Sequence, residues 1–283
     1  MTGQRNDLVE ILRFAGAVGI VYFHVGAPAA WIGHSALLVF VIASVFFAAT
    51  RRSSFERRLR VLYIWIFWSV VYGLLKIGQA VHEGRDISSE FDWWMLLAGP
   101  ILPLWFLPFI FLINSLVSWY FDRLVERPSL VENVALVCAL FACLLMSQVS
   151  VGAPFDQWVL GIGGTIVAVS IVRSGEAPYY IFSILALLAG MQLISEVSHT
   201  KMFLLASVLS AAVFLWLPSW TNDFARRLGS ISLGVYVLHH GVTVALESPM
   251  SGLARHEAAL VVVVVSSVAA LVLKSIPRLD KVI

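Results

Sequence analysis

Long apolar runs alternate with short polar breaks along this chain, and the runs have the length of membrane crossings. A bilayer core takes about 20 residues of helix, with roughly 17–25 allowed. On that measure the candidate spans are Leu8–Trp31, Ile32–Thr50, Val61–Val81, Leu102–Phe121, Leu130–Val149, Trp158–Val172, Tyr179–Ile194, Met202–Leu217, Ile231–Leu246 and Ala258–Leu273. The shorter runs are read as apolar cores whose helices extend a few residues further. Trp93–Ile101, with Pro100 inside it, is too short to cross and reads as an interfacial segment anchored by Trp93 and Trp94. The expected fold is an all-α integral membrane protein, a bundle of about ten transmembrane helices. No fixed-period repeat, low-complexity tract or linker interrupts it, so residues 1–283 are read as a single domain. The first run superficially resembles a secretory signal ending at Ala27-Pro28-Ala29, but Glu10, Arg13 and His24 crowd its apolar stretch. It is read as a retained first span.

Composition agrees with that pattern. The chain is 60% hydrophobic and 13% charged, whereas a soluble domain carries roughly 25% charged residues. So little charge cannot cover an aqueous surface, and lipid must solvate much of the chain. A net charge of +2 supplies no basic stripe for phosphate neutralisation, which argues against nucleic acid. Cys138 and Cys143 share one apolar stretch and read as small buried hydrophobes without a disulfide framework. No metal site is expected.

Charge position adds an orientation. Fourteen of the nineteen basic residues fall on one side: Arg5; Arg51, Arg52, Arg57, Arg58 and Arg60; Arg123 and Arg127; Arg173; Arg226 and Arg227; and Lys274, Arg278 and Lys281. The opposite side holds Arg85, Lys201 and Arg255, and Arg13 and Lys76 lie inside spans. The basic side is cytoplasmic, which puts both termini in the cytoplasm.

Four groups of residues stand out from the apolar background. Arg13 and His24 are eleven positions apart, about 20° from three full helical turns and about 16 Å along the axis, so both point the same way. Polar groups on one face of a membrane helix are costly unless they meet a cavity, a partner or the headgroups. Between the second and third spans, Arg51-Arg52-Ser53-Ser54-Phe55-Glu56-Arg57-Arg58-Leu59-Arg60 carries more Arg than orientation requires. Guanidinium forks suit phosphate, either of a bound nucleotide or of anionic lipid. Leu104-Trp105-Phe106-Leu107-Pro108 opens the fourth span between two prolines, Pro103 and Pro108, which would loosen the helix and free carbonyls near a cavity. In the ninth span Ser232, Tyr236 and His239 form one stripe at spacings of four and three, fit either for function or for interhelical hydrogen bonding.

Taken in this order, Arg13 with His24, Arg57-Arg58-Leu59-Arg60, Leu104-Trp105-Phe106-Leu107 and Ser232-Leu233-Gly234-Val235-Tyr236-Val237-Leu238-His239 resemble the acyltransferase-3 family of bacterial membrane O-acyltransferases acting on surface glycans. The resemblance runs from about Glu10 to the last span. Where that family often has Phe-Phe-x-x-Ser-Gly in the second span, this chain has Val39-Phe40-Val41-Ile42-Ala43-Ser44. The resemblance implies a protein of the inner membrane that takes an acyl group, most simply acetyl, from cytoplasmic acetyl-CoA or another acyl-CoA. The acceptor would be a hydroxyl of a surface polysaccharide or lipid-linked sugar. Arg57 and Arg60, helped by Arg58, would hold the nucleotide phosphates. Arg13 would steady the donor, and His24 would act as general base. Trp105, Ser232, Tyr236 and His239 would line the pocket, the last three as candidate oxyanion donors. A transporter or flippase of lipid-linked sugars is the alternative; it should carry topologically related halves with matching broken spans, and no such pairing is visible.

Overall fold

The computed structural model describes residues 6–28, 30–51, 55–123, 128–150, 152–194 and 199–277, with 279 and 282. Among them every regular element is helical. In chain order these are α1 (Leu8–Val25), α2 (Ala30–Arg51), α3 (Phe55–Glu83), the short α4 (Met95–Ala98), α5 (Phe106–Arg123), α6 (Leu130–Met146), α7 (Phe155–Ser174), α8 (Tyr179–Ile194), α9 (Thr200–Ala211), α10 (Asp223–Leu246) and α11 (Arg255–Ser275). Seven described helical segments are long and apolar enough to cross a membrane: Leu8–Val25, Trp31–Thr50, Arg58–Glu83, Leu102–Arg123, Phe155–Ser174, Asp223–Leu246 and Arg255–Ser275. Three further apolar segments, Leu130–Met146, Tyr179–Ile194 and Thr200–Trp216, are shorter. The chain is thus an all-helical, multi-pass membrane protein.

The first span ends earlier than its hydropathy implies. Gly26 takes a left-handed conformation at φ 69° and caps α1 by donating to Phe23 O, and the chain restarts as α2 from Ala30. Glycine alone adopts this turn without steric cost, so Trp31 belongs to the second helix. The basic stretch is likewise not a loop. Arg57, Arg58 and Arg60 lie on the first turns of α3, while Arg51 ends α2; Arg5, Arg52, Ser53, Ser54, Arg127, Arg278 and Lys281 lie outside the described residues. Cys138, expected inside, is exposed, and Cys143 is half-buried.

The core is organised around α2, which packs against α1, α5, α7 and α9. Its inward positions Leu38, Val41, Ile42 and Val45 are almost wholly buried. Helix α1 lies between α2 and α10. Gly19 and Gly33 face each other so closely that a Cβ on Gly19 would sit 3.1 Å from Gly33 Cα, and one on Gly33 would collide with the Gly19 carbonyl oxygen. In lipid no hydrophobic effect drives helices together, so small residues that allow backbone approach supply the packing contact. On the other flank Gly229 of α10 leaves room for the Glu10 side chain.

Polar contacts fix both ends of this trio. Asp7, fully buried, accepts from the Asn222 amide at 2.8 Å and pairs with Arg226 at 3.5 Å. Asn222 in turn caps α10 through the Phe224 and Ala225 amides, so α1 and α10 start side by side and run in parallel. At the other end Arg255 donates to Gly26 O at 3.1 Å, tying α11 to the turn after α1. Away from the trio, the nearly buried Arg173 of α7 makes a two-pronged contact with Glu132 of α6, through Nε and Nη2, each at 2.8 Å. Tyr120 of α5 and Tyr180 of α8 complete that carboxylate's shell. A fork-on-carboxylate pair with its lone pairs satisfied meets the conditions under which buried charge is tolerated.

The glycine contact gives a stability prediction. Gly33→Ala must push α1 from α2 and should destabilise the detergent-solubilised protein by about 1–3 kcal/mol. Gly73→Ala, whose added methyl meets nothing within 4 Å, should leave the melting temperature unchanged or raised. Equal melting temperatures for the two variants would remove the α1–α2 contact from the account.

Candidate functional site

Of the cavities that α1 helps to line, one near each of its ends takes up polar residues singled out from the sequence: Arg13 and Arg58 in one, His24 and Tyr236 in the other. The larger, about 360 Å³, is lined by Arg13 of α1, Phe40 and Ser44 of α2, Arg58 of α3, and Phe106 and Asn114 of α5. Arg13 reaches it while pairing with Glu10 at 3.0 Å, one turn earlier on the same helix. Arg58 lies over the Phe55 ring, 5.9 Å from its centroid, and its Nε is buried without a hydrogen-bond partner among the described residues. Asn114 donates to Ser44 Oγ at 2.9 Å, and its carbonyl oxygen has no partner among the described residues. A cavity of this size with convergent cationic and amide groups suits a polar, anionic ligand.

The register of α3 corrects the weighting of its arginines. Arg58 and Val61 line the cavity and Arg60 does not. Residues two apart on a helix point about 200° away from one another, so Arg58 and Arg60 cannot face one site. Arg60 is exposed. Arg57 sits on the same helical turn, but its side chain lies outside the described residues.

The smaller cavity, about 80 Å³, adjoins His24 at the far end of α1. His34, Trp105, Gln157 and Tyr236 share its wall. His24 is exposed, whereas His239 of α10 is fully buried with its ring centroid 5.0 Å away. His239 Nδ1 lies 2.5 Å from the Tyr236 carbonyl oxygen. That contact makes Nδ1 the donor and leaves the lone pair on Nε2, which has no partner among the described residues. His34 stacks on Phe23 at 4.5 Å and meets the His199 ring edge-on at 6.2 Å. Among the described residues no cluster of three or more His, Cys, Asp or Glu side chains could hold a metal ion.

Aromatic rings meet where the linings of the two cavities approach one another. Phe40 and Phe106 on one side and Tyr236 on the other have centroids 5.5–6.4 Å apart. Trp105 and Phe106, neighbours in sequence, line different cavities. The chain passes from a 3-10 turn over Leu102–Trp105 into α5 at this point, and consecutive residues of either helix type point about 100–120° apart.

The stripe on α10 is brought to the site only in part. Ser232 donates to Gly229 O of its own helix at 2.8 Å, and the Tyr236 hydroxyl donates to Pro103 O. Their donors are therefore committed to carbonyls, and neither is free to meet an oxyanion as expected. Sequence reasoning missed His34 and Gln157, each a polar residue within an apolar helix, and Tyr72. The Tyr72 hydroxyl of α3 donates to Val237 O at 2.6 Å and accepts from the Gly241 amide at 3.3 Å. It thereby braces α10 on both sides of His239 and His240.

No family model, curated protein or solved structure matches this chain. Function must therefore be argued from the site itself.

Removing the brace gives a second prediction. Tyr72→Phe deletes the hydroxyl that engages Val237 and Gly241 and should cost about 1 kcal/mol, a fall of roughly 2–4 °C in melting temperature for a chain of this size. An unchanged melting temperature would mean that α10 holds its shape without Tyr72.

Proposed function

We propose that this protein is a membrane O-acyltransferase of the acyltransferase-3 kind. It takes an acetyl group from cytoplasmic acetyl-CoA and delivers it to a hydroxyl of a surface polysaccharide or lipid-linked sugar. The observation that carries this reading is the pair of cavities meeting at one aromatic layer, with Arg13 and Arg58 on one side and His24 beside His239 on the other. Such an arrangement suits a reaction whose two substrates arrive from opposite faces of a membrane.

In this reading the seven long helices and the three shorter apolar ones all cross the bacterial inner membrane with both termini in the cytoplasm, which turns the Arg13–Arg58 cavity inward. Arg58 and the neighbouring Arg57 hold donor phosphates by charge-assisted hydrogen bonds, with Arg60 contributing long-range attraction. Arg13 steadies the donor on its way up α1. The pantetheine arm follows the larger cavity to the Phe40–Phe106–Tyr236 layer and presents the thioester to His24. There the acceptor oxygen attacks the carbonyl carbon, a C–O bond forms and the C–S bond breaks. His24 takes the hydroxyl proton and returns it to the departing CoA thiolate, so the cycle is proton-neutral. A histidine base suits neutral pH and typically contributes roughly 10²–10⁴-fold. The small volume beside His24 favours acetyl over long acyl groups.

The two in-line cavities are also what a flippase of lipid-linked sugars would need, and one set of measurements separates the readings. Purified protein should bind labelled acetyl-CoA saturably. Arg58→Ala should weaken that binding by about 10–100-fold, as expected for loss of hydrogen bonds to a charged partner, and Arg60→Ala should weaken it less. His24→Ala should bind the donor normally and lose roughly 10²-fold or more in transfer. Absence of binding by any acyl-CoA ester would end the acyltransferase reading and leave the flippase.

A further inference from the structure

The acyltransferase reading leaves open how the acceptor is recognised. The polar groups around His24 that the chemistry does not use bear on this. Gln157, on the first turn of α7, lines the same cavity as His24, and its carbonyl oxygen is buried without a hydrogen-bond partner among the described residues. An orphaned buried acceptor costs about 1–3 kcal/mol, a cost removed when a ligand donor meets it. His34 reaches the cavity from α2. It is held from behind by His199, whose Nδ1 lies 3.1 Å from Ser147 Oγ. Three helices thus aim three polar side chains, His24, His34 and Gln157, at a space of about 80 Å³.

That space is too small for a whole sugar ring and large enough for a hydroxyl-bearing carbon and the incoming acetyl group. The rest of the acceptor must lie across Gln157 and His34. We propose that Gln157 and His34 form a carbohydrate subsite for the acceptor. One ring hydroxyl sits on His24, and a neighbouring hydroxyl donates to the Gln157 carbonyl oxygen with His34 beside it. The proposal rests on the acyltransferase reading for the fate of the first hydroxyl, but binding to Gln157 requires only a vicinal diol held in a ring. A site built around a buried acceptor discriminates strongly against ligands that lack the matching donor. A simple alcohol has one hydroxyl and can fill only one of the two positions, so the subsite should bind it far more weakly than a ring diol. Gln157 and His34 are positioning residues, and no proton transfer is assigned to either.

The test uses the full chain in a detergent that carries no sugar. Binding of a panel of methyl glycosides is measured by calorimetry, with 1-propanol as the control, and acetyl-CoA binding is measured on the same samples. Wild type should bind at least one glycoside saturably and propanol far more weakly. Gln157→Leu, which keeps the bulk but removes the acceptor, should weaken glycoside binding about tenfold or more, and His34→Ala should also weaken it. Gln157→Glu, which keeps an acceptor oxygen, should retain more affinity than the leucine variant. Retained acetyl-CoA binding by each variant serves as the check on folding. Glycoside binding that is absent from wild type, or equal in wild type and Gln157→Leu, would overturn the subsite. If Gln157-dependent glycoside binding is found in a protein that binds no acyl-CoA, the subsite stands and the acyltransferase reading falls.

Discussion

At Gly19 and Gly33 the backbones of α1 and α2 pass with no side chain between them, and the placement of the candidate site follows from that contact. Helix α2 is the post around which α1, α5, α7 and α9 are set, so whatever fixes α1 against it also fixes Arg13 and His24 relative to the rest. A methyl group at Gly33 would have to displace backbone, because the atom it meets is the Gly19 carbonyl oxygen. Interhelical packing in lipid depends on such small-residue contacts. Here the contact lies between the two polar residues of α1, about one turn before His24. It also brings His34, one residue past Gly33, to the wall that His24 shares.

The second constraint is the bracing of α10. Its start is held by Asp7, Asn222 and Arg226, and its second half by the Tyr236–Pro103 bond and by Tyr72 at Val237 and Gly241. Apart from the exposed Arg226, these contacts join side chains that are buried or half-buried. They are worth keeping where water cannot compete, because an unmade bond leaves a desolvated group. The outcome is a buried imidazole, His239, with a defined tautomer and an uncommitted nitrogen beside the exposed His24. Position and tautomer are both set by the backbone of α10 rather than by the ligand.

Much of the fold was legible in the sequence, and the reason is physical. Apolar runs of bilayer length report helices directly, and every expected span corresponds to a helix. The start of α2 was misjudged because hydropathy alone does not register the turn; Gly26 and Pro28 carried that signal. The site was legible where a residue stood out chemically: Arg13, His24, Trp105, Tyr236 and His239 all line or adjoin the cavities. Register was not legible from the arginine cluster: the resemblance puts Arg57 and Arg60 first with Arg58 in support, whereas Arg58 lines the cavity and Arg60 does not. Ser232 was misjudged because a hydroxyl in a helix readily bonds its own preceding turn. His34 and Gln157 carried the general signal of polar residues within apolar helices, yet only the packing of α2 and α7 against α1 gives them a common target. Tyr72 carried no signal at all, because nothing local distinguishes a bracing hydroxyl from an interfacial one.

The aromatic layer of Phe40, Phe106 and Tyr236 has a bioenergetic consequence. Two water-accessible cavities in line across a membrane would form a leak if they joined, and each elementary charge driven through would dissipate about 2.3 kcal/mol per 100 mV of membrane potential. Three rings in edge and tilted contact offer an ion no hydration, since the one hydroxyl among them is already bonded to Pro103. In the proposed orientation the three rings therefore oppose the passage of charge between the two cavities far more than that of an uncharged group.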